Sequence, residues 1–199
     1  LYFVQEQWQR GIDALLGWFA LTDKPNANAY ILLAQGYYQI NDYNKALLNV
    51  EKAINMYKAE DKLPKEQWYN LARFLYFEKG DVPKTVATLE ELLRQYPKKD
   101  YWVQLSHMYG EQQKEGLQLA AMDTAYVQGM LDKGQEQVTM AYLYLNSDVP
   151  YRAGKVMEKG LKDGSIEPTA KNYEIADSAR RQPLSASCSA NGSVALFSA

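Results

Sequence analysis

Few groups in this chain could do covalent chemistry. Its 199 residues hold one histidine, His107, and one cysteine, Cys188. A single histidine cannot build a His-pair metal site, and no neighbouring sequence pairs it with a nucleophile. Cys188 and His107 would meet only if the C-terminal tail folded back. There is no Gly-rich phosphate loop, no Walker lysine and no Cys-x-x-Cys. The adjacent acids Glu90 and Glu91 lie on a segment whose opposite face is apolar, so they read as a solvated helix face rather than an acid/base pair. A lone cysteine precludes an internal disulfide and fits a reducing or an oxidising compartment. Twenty-two basic and twenty-four acidic residues leave a formal charge of −2, with no basic excess for nucleic-acid phosphates. No apolar run approaches the roughly 20 residues that span a bilayer. The expectation is a non-enzyme without metal or cofactor, without nucleic acid and without a membrane span of its own. The remaining chemistry is recognition.

The elements that position such chemistry announce themselves by period. Tyr2, Tyr37, Tyr76, Tyr109 and Tyr144 are 35, 39, 33 and 35 residues apart. A period near 34 indicates a stacked array of helical hairpins. In residues 28–57, Leu33, Ala34 and Tyr37 share one helical face. The polar turn Asn41-Asp42 follows, and then Tyr43, Ala46, Val50, Ala53 and Ile54 mark a second helix. Residues 67–97 repeat the set with Ala72, Tyr76, the turn Gly80-Asp81, Leu89 and Leu92-Leu93. Residues 101–129 repeat it with Trp102, Leu105, Tyr109, Met122 and Ala125. Residues 135–164 repeat it with Met140, Ala141, Tyr144, the turn Asn146-Ser147-Asp148, Ala153 and Met157. Small residues at Ala34, Ala46 and Ala141 mark close helix crossings. The repeated tyrosines read as packing residues with the hydroxyl at the rim or hydrogen-bonded. Residues 58–65 lengthen one second helix and add a loop, which accounts for the 39-residue interval. Pro83 and Pro150 suit first helical turns.

These positions resemble the tetratricopeptide repeat (TPR) family. Tyr37, Tyr76, Tyr109 and Tyr144 match its tyrosine, Ala46 and Ala153 its first second-helix alanine, and Pro97 its closing proline. Thr85 and Gln118 depart from that alanine, and Arg73 and Ser106 from the small first-helix position. The resemblance implies an all-α, right-handed superhelical solenoid of stacked antiparallel helix pairs. It divides the chain into the second half of a truncated repeat (1–26), a repeat with an extended second helix (27–66), repeats at 67–98, 99–131 and 132–168, the start of a further repeat (169–182) and a low-complexity tail (183–199). The half repeat at the start implies a piece of a longer chain. The tail is rich in Ser, Ala and Gly and carries no charge. It reads as flexible, as a join of non-contiguous segments, or as an occupant of the groove through Leu184, Val194, Leu196 and Phe197.

In such arrays the first helices line a concave groove. The resemblance places Asn28, Ile31, Gln35, Tyr38, Gln67, Asn70, Phe74, Phe77, Val103, Gln104, His107, Gln135, Val138, Tyr142 and Asn146 on its exposed positions. The candidate partner-binding residues among them are Gln35, Tyr38, Asn70, Phe74, Phe77, Gln104, His107, Tyr142 and Asn146. Amides can pair with an extended backbone, and aromatics give area at low entropy cost. Ile31, Asn70, Val103 and Val138 stand where a carboxylate clamp needs lysine, so acidic chaperone tails are not expected partners. Residues 96–106, 149–156 and 170–174 resemble a proteobacterial group of TPR proteins associated with TonB/ExbB/ExbD-type systems. That resemblance implies a periplasmic scaffold for a protein or peptide partner in an envelope complex, with the cytoplasm as the alternative location. A self-assembling module that homo-oligomerises through array ends is the alternative function.

Overall fold

The computed structural model describes residues 2–181. The expectations for Leu1, Cys188 and the 183–199 tail lie outside them. The described residues are helical throughout: α1 (Trp8–Ala20), α2 (Ala27–Gln39), α3 (Tyr43–Ala59), α4 (Glu66–Glu78), α5 (Val82–Gln95), α6 (Lys99–Glu111), α7 (Glu115–Val127), α8 (Gly134–Asn146), α9 (Pro150–Asp163) and α10 (Ala170–Arg181). A short 3-10 turn, Phe3–Gln5, precedes them. The helices group into two compact units divided between Gln112 and Gln113. The first holds α1–α6 and the second α7–α10.

One turn geometry builds the hairpins, and the tyrosine sets its register. Tyr37 is the third residue from the end of α2, and its carbonyl accepts the N–H of Asp42 at 2.9 Å. The N–H of Asn41 donates to the carbonyl of Tyr38 at 3.0 Å. This double closure ends a helix with one residue in the left-handed region. The same pair of bonds recurs at Tyr76 and Phe77 and at Tyr144 and Leu145. The left-handed residues are therefore Asn41, Gly80 and Asp148, each four after its tyrosine. Gln113 (φ 57°), four after Tyr109, adopts the same conformation. Tyr2 keeps the backbone half of the pattern, with Gln7 N–H on its carbonyl at 3.1 Å and Glu6 left-handed, although its side chain is exposed.

The residue after the left-handed one then starts the next helix. Asp42 and Asp81 accept the N–H of Lys45 and Lys84 at 3.1 Å each. These are ordinary N-caps. Val149 has no capping side chain, and Pro150 opens α9 instead.

Small residues set the helix crossings. Ala34, Ala46, Ala141 and Ala153 are wholly buried. In the first unit they pack with Leu33, Val50, Ala53, Leu75, Leu89 and Leu92, and in the second with Met140, Val156 and Met157. The long interval has its expected cause. α3 has 17 residues against 14 in α5. The following loop is pinned by buried Pro64, whose carbonyl accepts the Tyr96 hydroxyl at 3.1 Å. In the second unit, the loop after α9 folds back so that Ile166 fills the space over Gly160. A Cβ on Gly160 would meet Ile166 at 2.4 Å.

Gln113 bears a left-handed penalty of roughly 1–2 kcal/mol that glycine does not. Glycine loses roughly 0.4–1 kcal/mol through the unfolded chain. Gln113→Gly is therefore expected to raise unfolding free energy by ~1 kcal/mol in urea melts. Ala46→Leu, which forces a wholly buried crossing apart, is expected to lower it by about 1–3 kcal/mol in the same assay.

Candidate partner-binding surface

Three buried tyrosines each tie a first helix to the second helix before it. Tyr76 donates its hydroxyl to Glu51 of α3, and Tyr109 donates to Glu90 of α5 at 2.6 Å. In the second unit Tyr144 of α8 donates to Asp123 of α7. Burial, reinforced by these acceptors, raises all three hydroxyls above the usual phenol range. A cation eight residues after the tyrosine completes two of the clusters. Lys84 lies 4.0 Å from Glu51, and Arg152 lies 3.1 Å from Asp123. Sequence reasoning found the tyrosines but not their carboxylates, which sit 25, 19 and 21 positions earlier. The variable spacing hid them.

With the tyrosines turned inward, the other side of α4 carries the candidate residues. Asn70, Phe74 and Phe77 lie at steps of four and three, one helical stripe. Phe77 is 53% exposed. Phe74 is half-buried, edge-on to Tyr38 of α2 at 5.5 Å and to Tyr43 of α3 at 6.4 Å. The aromatic patch of the first unit is thus Tyr38, Tyr43, Phe74 and Phe77, partly covered rather than bare. Gln35 is exposed on α2. Asn70 donates through Nδ2 to the Tyr101 hydroxyl at 2.6 Å, and Tyr101 donates to Glu66. Lys98 pairs with the same carboxylate at 2.6 Å. The Lys98 hydrogen bond, then that of Tyr101, hold Glu66 below the usual carboxylate range. Gln104 accepts from Arg73 Nη1 at 2.5 Å. Both amides are therefore positioned by neighbours, each retaining its second polar atom.

His107 is exposed, with Nε2 3.7 Å from Glu111. Beneath it Phe77, Gln104 and His107 meet around a cavity of about 310 Å³, walled further by Arg73, Thr85, Leu89, Val103 and Met108. Arg73 holds the position occupied by Ala34 and Ala141 elsewhere, and its burial lowers the guanidinium pKa. Sequence reasoning noted Arg73 only as a departure from the small-residue pattern. In the second unit, Tyr142 (38% exposed) and the exposed Asn146 lie on α8.

Two groove positions are corrected. Ile31 and Val138 are buried at 7% exposure each, not solvent-facing. Ile31 shares a stripe with buried Ala27 and Ala34, and Val138 one with Ala141. That register sits at the margin of the core: Ile31 and Val138 are drawn in, while Asn70 and Val103 stay half-exposed. Among the described residues, no group of three His, Cys, Asp or Glu could hold a metal, and no helix is long and apolar enough to cross a membrane. The surface offers aromatic area, amides and one guanidinium.

No family model matches the chain, and no curated protein matches its sequence. Solved structures do match its fold. The protein in "Crystal structure of MamA" aligns at TM-score 0.58 and 14% identity over 81% of this chain and 91% of that one. The C-terminal part of a TPR repeat-containing protein from Cytophaga hutchinsonii aligns at 0.60 and 14% over 89% and 67%. YrrB, described as "a TPR protein with an unusual peptide-binding site", aligns at 0.58 and 14% over 92% and 88%. The described residues are all-helical and have the fold of TPR proteins.

Glu66 has a depressed pKa in the folded chain, so its contribution is complete above the unfolded value near 4.5 and is lost as pH falls below it. The urea midpoint is expected to decline on acidification from roughly pH 5 to pH 3, and Glu66→Gln to flatten part of that decline. The tyrosines have the opposite sign. Their raised folded values confer stability below the ordinary phenol value near 10, lost as pH rises above it. Tyrosinate absorbance should therefore rise together with loss of helical circular dichroism, and Tyr76→Phe should separate the two.

Proposed function

We propose that this chain is a non-enzymatic scaffold that holds a polypeptide partner on the first-helix faces of its hairpins. The observation that carries the reading is the stripe on α4, where exposed Phe77 and half-buried Phe74 flank positioned amides at Asn70 and Gln104. Aromatic residues beside oriented polar groups are the composition of binding hot spots. The TPR fold, and the peptide-binding site in the printed description of YrrB, support a polypeptide as the ligand. We place the partner in a bacterial envelope complex of the TonB type, with the chain in the periplasm, on the resemblance of residues 96–106, 149–156 and 170–174. Gln35, Tyr38 and His107 complete the proposed surface of the first unit, and Tyr142 and Asn146 on α8 are the contacts we propose for the second.

Self-assembly is a second reading with one observation behind it. Trp18 near the end of α1 is 42% exposed and Leu21 just after it is 88% exposed, three residues apart on one side that a second copy could cover. A concentration-dependent mass, lost on Trp18→Ser, would favour that reading.

The scaffold reading is tested by affinity capture from envelope extract, followed by titration of the purified partner. Phe77→Ala and Tyr142→Ala are each expected to weaken binding by about tenfold, the cost of one hot-spot aromatic, at unchanged helicity. Equal affinity of wild type and the double variant would remove this face from the function.

A further inference from the structure

The tyrosine register is broken at one joint of the second unit. Ala179 of α10 stands 35 residues after Tyr144, and buried Ile175, Ala176 and Ala179 repeat the set Met140, Ala141 and Tyr144 of α8. A methyl group therefore holds the place of a phenol. The acceptor is nonetheless kept. Each carboxylate that takes a tyrosine hydroxyl stands five residues after the first alanine position of its second helix: Glu51 after Ala46, Glu90 after Thr85 and Asp123 after Gln118. Glu158 stands five after Ala153. A second large side chain is also replaced here. The residue next to that alanine position is Leu47, Val86 or Leu119 in the other second helices and Gly154 in α9. Beside these small residues lies a pocket of about 290 Å³, walled by Pro150, Tyr151, Gly154, Glu158, Ala179 and Arg180.

We propose that this pocket receives a tyrosine side chain of a partner polypeptide, its ring against Tyr151, Gly154 and Ala179 and its hydroxyl on Glu158. The same carboxylate position takes a phenol hydroxyl at three other joints of this chain. Glu158 Oε1 accepts from Arg180 Nε at 3.1 Å and Nη2 at 2.7 Å, and Lys155 lies 3.5 Å from Oε2. These cations keep the group ionised, and an ionised carboxylate has about four lone-pair sites, so a further hydroxyl can be accepted. Acidic side chains are repelled by the same charge. The volume stands just under the small end of ligand pockets, roughly 300 Å³, and suits one side chain rather than a helix. Exposed Tyr151 offers an aromatic edge to the entering ring. Residues 182–199 contain no tyrosine, so the segment that follows α10 does not supply it. The pocket takes no residue from the stripe on α4, so it adds a docking point to the scaffold reading without depending on that stripe.

The test is a heteronuclear NMR titration of the full chain with acetyl-glycyl-tyrosyl-glycine amide, its phenylalanyl counterpart and p-cresol. The tyrosyl peptide is expected to shift amide resonances in 150–158 and 176–180, with about tenfold higher affinity than the phenylalanyl peptide, the worth of one hydrogen bond to a charged acceptor. Glu158→Gln should remove most of that preference. Gly154→Leu, whose Cβ would lie 3.7 Å from that of Ala179 in ordinary contact, should fill the pocket and abolish the shifts at wild-type helicity. Equal binding of the two peptides would overturn the proposal. So would undiminished binding to the Gly154→Leu variant, or no shift at millimolar peptide. Concentration-dependent shifts of the same amides in the chain alone would assign the pocket to a second copy, and p-cresol binding without the tyrosyl peptide would assign it to a free phenol. Either outcome also overturns the partner assignment. If the tyrosyl peptide fails here while Phe77→Ala still weakens the captured partner, the scaffold reading stands.

Discussion

A helical hairpin of thirty-odd residues exposes an apolar face that it cannot bury alone, so its neighbours must hold it in one register. In this chain Tyr76 and Tyr144 supply that register twice over. The carbonyl of each closes the first helix of its own hairpin. The hydroxyl of each reaches a carboxylate on the second helix of the hairpin before. One residue thereby couples a local event, ending a helix, to a non-local one, docking it. A slip by one position would break both bonds together. The cost is the burial of a polar group, and a charged acceptor offsets it better than water at a rim would.

Once the tyrosine is fixed, much else follows by counting. Four residues on, the backbone must turn left-handed, and Asn41, Gly80, Gln113 and Asp148 all do so. Only one of them is glycine, which shows that the docking energy tolerates the strain. Three residues before the tyrosine, the helices cross most closely. Alanine satisfies that position at Ala34 and Ala141, while Arg73 does not. The cavity between α4, α5 and α6 is the consequence. A large charged residue where the other hairpins carry alanine or serine (Ser106) marks a place where something other than packing has shaped the sequence.

The fold was legible because it rests on period and residue type. Tyrosine spacing, the alanines at crossings and the extension after α3 are all local or periodic signals, and the helices fall where those signals place them. The site was legible only in part. Phe74 and Phe77 could be assigned to one stripe, but not the covering of Phe74 by Tyr38 and Tyr43, because that depends on the approach of three helices. Ile31 and Val138 were misplaced for a related reason. Their register lies at the edge of the core, where a turn of a few degrees decides exposure and periodicity cannot resolve it. The carboxylates beneath the tyrosines escaped notice because helix length varies between hairpins, so no fixed offset connects donor to acceptor.

Arg73 shows what a broken pattern is worth. Read as sequence it is a mismatch to the small-residue position. In three dimensions it is a cation held by one neutral amide, inside apolar walls, four residues before exposed Phe77 on the same face of α4. Folding alone gives no reason to keep it, since alanine fills the same step elsewhere and leaves no unpaired group. A partly desolvated guanidinium is a poor contributor to stability, so this hairpin carries a cost that the alanine-bearing hairpins avoid, while the conforming positions keep the geometry of the array.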